Sequence, residues 1–88
     1  MPTDQLDRDQ NLRRQILRIL DECAPYLLPE PRLHEQLRLA VVPPPTTAEI
    51  ERAINWLDSL HYITGVRPEL GGAVKWQLAE KGRAALAS

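Results

Sequence analysis

The sequence has too little cysteine and histidine for a disulfide framework or a zinc site. Cys23 is the single cysteine, so no disulfide can form within one chain. Cys23, His34 and His61 lie in separate segments and lack the paired spacings that are typical of zinc ligands. We therefore expect neither a structural metal nor a cofactor.

Long apolar runs are also missing. The longest are Leu39 to Val42 and Ala84 to Ala87, whereas a membrane-spanning helix needs roughly 20 apolar residues. The N-terminal residues Met1 to Gln5 lack the basic and apolar regions of a secretory signal. The sequence therefore predicts a cytoplasmic protein that does not associate with membranes.

Neither sign of charge dominates, and little in the chain suggests catalysis. The 11 Lys and Arg residues against 12 Asp and Glu residues give a net charge of -1, so bulk charge does not indicate a nucleic-acid binder. The chain has no glycine-rich phosphate loop and few residues from which to build a nucleophile and its base. We predict that the protein is not an enzyme, and that any DNA binding comes from the local arrangement of charges.

The 88 residues that are present suit one small domain. Hydrophobic residues make up 43% of the chain and charged residues 26%, which is the ordinary composition of a globular protein and is too apolar for disorder. A chain of this length can bury only one small core. We predict a flexible N-terminal segment over residues 1–8 and a single domain over residues 9–88.

Prolines and glycines divide this domain into segments. Apolar residues at helical spacing predict a first helix over residues 9–23. A connector over residues 24–30 separates it from a second helix over residues 31–41, which must stop before Pro43–Pro45. The triple proline is interpreted as a stiff spacer between helices and not as a ligand for another domain.

A third helix is predicted over residues 47–60. Thr46 and Glu49 have the spacing of a capping box at its start. His61 stands where a helix exit often needs a left-handed residue, and histidine is enriched at positive φ. The helix has one apolar face, made of Ile50, Ala53, Ile54, Leu57 and Leu60.

After His61 the apolar pattern changes from helical spacing to alternation. It predicts strands over residues 62–67 and 73–78 with a turn at Glu69–Gly72 between them. The apolar face of the second strand should lie on the helices, because an isolated hairpin is barely stable; this face consists of Val74, Trp76 and Leu78. A short helix over residues 80–87 ends the chain. The predicted fold is α+β, mostly α, with a three-helix core, a C-terminal β-hairpin and a short last helix.

This order of elements resembles the winged helix-turn-helix DNA-binding domains of bacteria and phages. The stretch Leu57–Gly65 (LDSLHYITG) is similar to the passage from the recognition helix into the wing, with His61 in place of the usual glycine. The stretch Trp76–Ala84 (WQLAEKGRA) is similar to the entry into the last helix, with Ala79 in place of a capping threonine. The resemblance implies a small transcriptional regulator that reads duplex DNA with its third helix and whose hairpin is the wing. It does not identify a particular family.

The resemblance places DNA contacts on the face of the third helix opposite its apolar stripe. Arginine there can bind guanine, asparagine can bind adenine, and alanine can touch a thymine methyl group. The candidate base contacts are Thr47, Ala48, Arg52 and Asn55. The candidate backbone contacts, from the second helix and the wing, are Arg32, Arg38, Arg67 and Lys75. Glu49, Glu51 and Asp58 on the same helix repel phosphate, so we expect weak to moderate binding.

Two further predictions concern apolar surface. The apolar arc of the first helix is wider than one packing partner needs and predicts a homodimer with contacts from Leu6, Leu17 and Leu20. Trp56 lies between the apolar face and the outward face of the third helix. There it packs against the wing, contacts a second copy of the chain, or forms a binding hot spot for another protein. The alternative function is therefore a winged-helix module that binds a protein and not DNA.

Overall fold

The first helix, α1, runs over Pro2–Cys23 in the computed structural model, which describes residues 2–88 and the side chains from Gln5 onward. The predicted helix start at residue 9 is wrong, because residues 2–8 are helical and continue directly into the rest of α1. No proline or glycine lies between Pro2 and Pro25, so nothing local stops the helix. Met1, the first residue of the segment predicted to be flexible, lies outside the described residues.

A short strand, β1, occupies Leu28–Pro29 within the predicted connector and is followed at once by helix α2, Glu30–Ala40. The strand pairs antiparallel with a later strand, with Leu28 opposite Trp76 and Pro29 opposite Lys75. The predicted connector therefore contains a strand that the sequence pattern did not predict, and α2 begins and ends one residue earlier than the predicted second helix. The two residues of β1 are too few to show a periodic pattern in the sequence, and their extended conformation is stabilised by the partner strand.

Helix α3 spans Thr47–Ser59, one residue shorter than predicted. The capping box is confirmed: the Glu49 backbone N–H donates to Thr46 Oγ1 at 3.1 Å, and the Thr46 backbone N–H donates to Glu49 Oε1 at 3.0 Å. The left-handed exit is also confirmed, since His61 has φ 65°. The termini of α3 are therefore defined by its own sequence.

The hairpin consists of β2, Ile63–Val66, and β3, Lys75–Leu78. The sheet has the order β1-β3-β2 and is antiparallel throughout, with Ile63 opposite Leu78 and Val66 opposite Lys75. Both hairpin strands are shorter than predicted, because the chain between them leaves the ladder to form the loop. Helix α4 spans Glu80–Ala87, as predicted.

The core lies where the apolar faces of α1, α2 and α3 meet the inner face of the hairpin. Trp76 of β3 is buried there, and its indole Nε1 donates to Glu30 Oε1 at 2.9 Å. Val74 and Leu78 pack against the same core, which confirms the predicted inner face of the second strand. The buried core residues are Leu12, Ile16, Leu17, Ile19, Leu20, Leu33, Leu37, Val41, Ile50, Ala53, Ile54, Leu57, Ile63 and Trp76.

The wide apolar arc of α1 is covered within the chain. Leu17 and Leu20 are buried, so their prediction as dimer contacts is corrected to core positions. The additional partners that the arc requires are α4 and β3, which contact α1 beside α2 and α3. Leu6, the third predicted dimer contact, is 53% exposed.

Candidate nucleic-acid interface

The face of α3 opposite its buried stripe is exposed and polar. Ala48, Asn55 and Ser59 lie along this outward face, with Thr47 exposed at the helix start. The capping box fixes the first turn, and the packing of Ile50, Ala53, Ile54 and Leu57 fixes the rotation of the helix about its axis. The predicted base-contact residues Thr47, Ala48 and Asn55 are therefore presented on one rigid element.

Arg38 and Thr47, one predicted backbone contact and one predicted base contact, are brought together by the structure. Arg38 Nη2 donates to Thr47 Oγ1 at 2.9 Å, and both residues are exposed. This hydrogen bond joins the last turn of α2 to the first turn of α3. It places a positive charge beside the start of the outward face.

Arg52 lies at the edge of the outward face and is paired with α1. Its Nη2 donates to Asp9 Oδ1 at 2.9 Å, and the Arg52 side chain remains 54% exposed. Asp9 Oδ1 also accepts from Gln5 Nε2 at 3.0 Å. Burial raises the pKa of Asp9, but the hydrogen bonds from Arg52 and Gln5 and the nearby positive charges outweigh it and lower the pKa overall.

A second ion pair joins α1 to the start of α3. Arg8 Nε donates to Glu49 Oε2 at 2.6 Å, and Arg8 Nη2 donates to Glu49 Oε1 at 3.3 Å and to the Pro43 carbonyl at 3.0 Å. The Arg8 hydrogen bond, followed by that from the Thr46 backbone, lowers the pKa of Glu49 to about 2. The guanidinium compensates the Glu49 charge, so this carboxylate opposes DNA less than the sequence predicted. Glu51 and Asp58 are exposed and form no ion pair with any residue whose side chain the structure describes.

Sequence reasoning missed Arg8 and Asp9. Arg8 fell within the segment predicted to be flexible, and Asp9 was the first residue of the predicted domain but was assigned no role. Two signals were available: the four-residue spacing of Gln5 and Asp9, which places them on one helical face, and the unbroken chain from Pro2 to Pro25. Neither signal identifies α3 as the partner, because that contact depends on the tertiary arrangement.

The wing brings Arg67 and Lys75 to the same end of the hairpin. Lys75 is opposite Val66 in the ladder, and Arg67 follows Val66 directly. Both side chains are exposed, as is Arg32 in the first turn of α2. The loop between the strands turns at Gly71 and Gly72, whose φ angles of 90° and 110° favour glycine. The backbone-contact candidates thus lie on two separate elements, α2 and the wing.

Trp56 lies on the α1 side of α3 and packs against the residue that precedes β2. Its ring stacks on Tyr62 with 5.8 Å between ring centroids, and the Arg13 guanidinium lies 4.0 Å from the Trp56 ring centroid. Lys81 Nζ lies 4.5 Å from the Tyr62 ring centroid. These contacts leave Trp56 37% exposed and agree with the interpretation of Trp56 as a packing residue beside the wing. An open groove of about 410 Å³ adjoins the rings; it is lined by Gln10, Arg13, Arg14, Leu17, Trp56, Leu57, Tyr62, Ala85 and Leu86.

The described residues form neither a cluster of metal ligands nor a membrane-spanning helix. Among the side chains described, from Gln5 onward, no three His, Cys, Asp or Glu residues are grouped to hold a metal ion. Within residues 2–88, no helix combines the length and the hydropathy that a membrane crossing requires.

No protein-family model and no curated protein matches the chain. It is similar to a solved X-ray structure described as a PadR-like transcription factor from Bacteroides fragilis, with a TM-score of 0.76. The similarity covers 99% of this chain and 84% of that chain at 16% sequence identity. The chain has the winged-helix fold. In the winged helix, α2 and α3 form the helix-turn-helix and β2 and β3 form the wing, so the predicted architecture is confirmed.

Proposed function

We propose that the protein is a small winged-helix transcriptional regulator that binds duplex DNA through the outward face of α3. The observation that carries the proposal is the exposed, polar character of this face: Thr47, Ala48, Arg52 and Asn55 are all accessible on a helix whose opposite side is in the core. These side chains match the donors, acceptors and methyl contacts of the major groove. The transcription factor with a similar fold is consistent with a regulatory role.

In this proposal four basic residues outside α3 contact phosphate. Arg38 stands beside the start of α3, while Arg67 and Lys75 lie together on the wing. Arg32 adds a charge in the first turn of α2. Because so few phosphates can be neutralised, the logarithm of affinity should fall against the logarithm of salt concentration with a shallow slope of about -2 to -4 per monomer.

The proposed role requires no catalytic step and no cofactor. Duplex DNA is the partner, and the compartment is the cytoplasm. Trp56 as a docking site for another protein is the competing outcome of the tests below. The Trp56 ring already contacts Arg13 and Tyr62. No contact among the described residues favours protein docking at Trp56.

We further propose that the protein pairs as a homodimer on DNA. Leu6 offers an exposed apolar side chain on α1, one helical turn before Gln10, at which the partly apolar groove between α1, α3 and α4 begins. Helix-turn-helix dimers bind two half-sites about one helical turn apart. Pairing would therefore add specificity that one polar face of α3 does not supply alone.

The experiment that tests DNA binding is selection from a random duplex pool at low salt. Recovery of a motif that the unsubstituted chain binds, and that an Arg52→Ala/Asn55→Ala double variant no longer enriches, supports the proposal. Arg83→Ala serves as a control because Arg83 lies on α4, away from the outward face of α3. If no sequence is enriched at low salt and a protein partner binds the chain through Trp56, the DNA proposal is wrong.

A further inference from the structure

We infer that Asp9 is a positioning residue of the DNA-binding face, which holds the Arg52 guanidinium so that its unused N–H groups are directed to a base. The inference rests on the proposed function. Asp9 lies on α1 and not on the helix proposed to read the bases. Its effect would pass through Arg52.

The Asp9 carboxylate is fixed with respect to α3. Its side chain is only 19% exposed, and the Oδ1 atom that accepts from Arg52 also accepts from Gln5 of the same helix. The adjacent residue Arg8 ties α1 to Glu49 and to the Pro43 carbonyl. The carboxylate is therefore a stationary anchor beside the N-terminal half of α3.

Arg52 uses only a small part of its hydrogen-bonding capacity on this anchor. A guanidinium has five N–H donors in a planar fork, and among the described residues Arg52 makes one hydrogen bond, from Nη2 to Asp9. Its remaining donors are available to bind guanine O6 and N7. A tethered arginine also loses less side-chain freedom when it binds a base than an untethered one does.

The Arg8–Glu49 ion pair of the same molecule has more hydrogen bonds and is less exposed than the Arg52–Asp9 pair. There the arginine donates from two nitrogens to one carboxylate, and the two side chains are 22% and 16% exposed. The Arg52 side chain makes a single contact and is 54% exposed. This difference favours a positioning role for Asp9, in which Arg52 stays accessible to DNA. It disfavours an inhibitory role, in which the ion pair would keep Arg52 away from DNA.

The test is a double-mutant cycle of Asp9→Ala and Arg52→Ala on the selected duplex and on duplexes altered at one base pair. The Asp7→Ala variant is the matched control, because it removes the same charge from an exposed position of α1 two residues away. Both aspartate variants should bind all duplexes somewhat more tightly, since each removes a charge that repels phosphate. Only Asp9→Ala should reduce discrimination, by about two- to fivefold, at the base pair where Arg52→Ala acts.

In the Arg52→Ala background, Asp9→Ala should cause no additional loss of discrimination. Thermal unfolding of each variant checks that the fold is kept. The inference is overturned if Asp9→Ala discriminates as well as Asp7→Ala does, or if its loss appears equally at every base pair. If the unsubstituted chain shows no base preference at all, the proposed function fails and this inference fails with it.

Discussion

In the proposed interface Arg52 contacts a base and Lys75 contacts phosphate, so substitutions of these two residues should change DNA binding in different ways. Arg52→Ala should cost about 1–3 kcal/mol at the preferred site and flatten discrimination at one base pair, because an arginine that binds a guanine in two places is lost. Lys75→Ala should weaken binding to all sequences about equally and lower the salt slope by about 1. Fluorescence anisotropy titrations with the selected duplex and its single-base variants, at several salt concentrations, measure both effects. Unchanged binding by both variants would contradict the proposed interface.

We expect Glu49 to make the stability of the fold sensitive to acid. Its pKa is lowered from the ordinary value of 4.5 to about 2 by Arg8 and by the Thr46 backbone, so the unfolded chain takes up a proton at a higher pH than the folded one. The stabilisation is complete above the ordinary pKa and is lost as the pH falls from about 4.5 toward 2. Urea unfolding across this range should show a smaller loss of stability for Glu49→Gln than for the unsubstituted chain.

Glu51→Gln is the control for this acid effect. Glu51 is exposed on the same helix and has no ion-pair partner among the described side chains. Its substitution should leave the dependence on pH nearly unchanged. The assignment to Glu49 is wrong if the two variants lose stability in parallel.

Among the elements, those whose ends are encoded locally could be predicted from the sequence. Thr46, Glu49 and His61 define α3, because a capping box and a left-handed exit involve only neighbouring residues. Strand β1 could not be predicted, since Leu28 and Pro29 are extended only through pairing with β3. The hairpin lies between these cases, since both strands were predicted with the correct type but with displaced ends. Helix α4 was predicted with its observed bounds.

The candidate site could be predicted to a similar extent. Helical periodicity alone identifies the outward positions of α3, and Ala48 and Asn55 are exposed as expected. The hydrogen-bond partners of Arg52 and Thr47 come from other helices. Arg52 is paired with Asp9 of α1, and Thr47 is paired with Arg38 of α2. Their contacts depend on how those helices pack, which a pattern within one segment does not contain. The same limit explains why Leu17 and Leu20 were predicted at an interface and lie in the core.

Helix α4 depends on a glycine for its close approach to the hairpin. A Cβ at Gly82 would collide with the Tyr62 carbonyl oxygen and would lie 2.7 Å from Leu78 Cδ1 and 3.2 Å from Leu17 Cδ2. Gly82→Ala should therefore destabilise the fold by about 1–3 kcal/mol, although alanine favours helix formation. Chemical denaturation measures the change, with Arg83→Ala as the control at the exposed next position. Equal or greater stability of Gly82→Ala would contradict the packing of α4.

For the whole molecule, the proposed homodimer can be tested by a substitution of Leu6. Sedimentation equilibrium at micromolar concentration should show a dimer, and Leu6→Glu should shift it toward monomer because a charge would enter an apolar contact. Leu70→Glu is the matched control, since Leu70 is fully exposed in the loop of the wing. A monomer at these concentrations, or equal association of Leu6→Glu and the unsubstituted chain, would contradict the proposed homodimer.

Binding of duplex DNA by the outward face of α3 can be followed residue by residue. The most direct measurement is a nuclear magnetic resonance titration of isotope-labelled protein with the selected duplex, following the backbone amide signals. The largest changes should occur at Thr47, Ala48, Arg52 and Asn55, with smaller changes at Arg67 and Lys75 on the wing. Changes confined to the groove around Trp56, or no changes at low salt, would contradict DNA binding by this face.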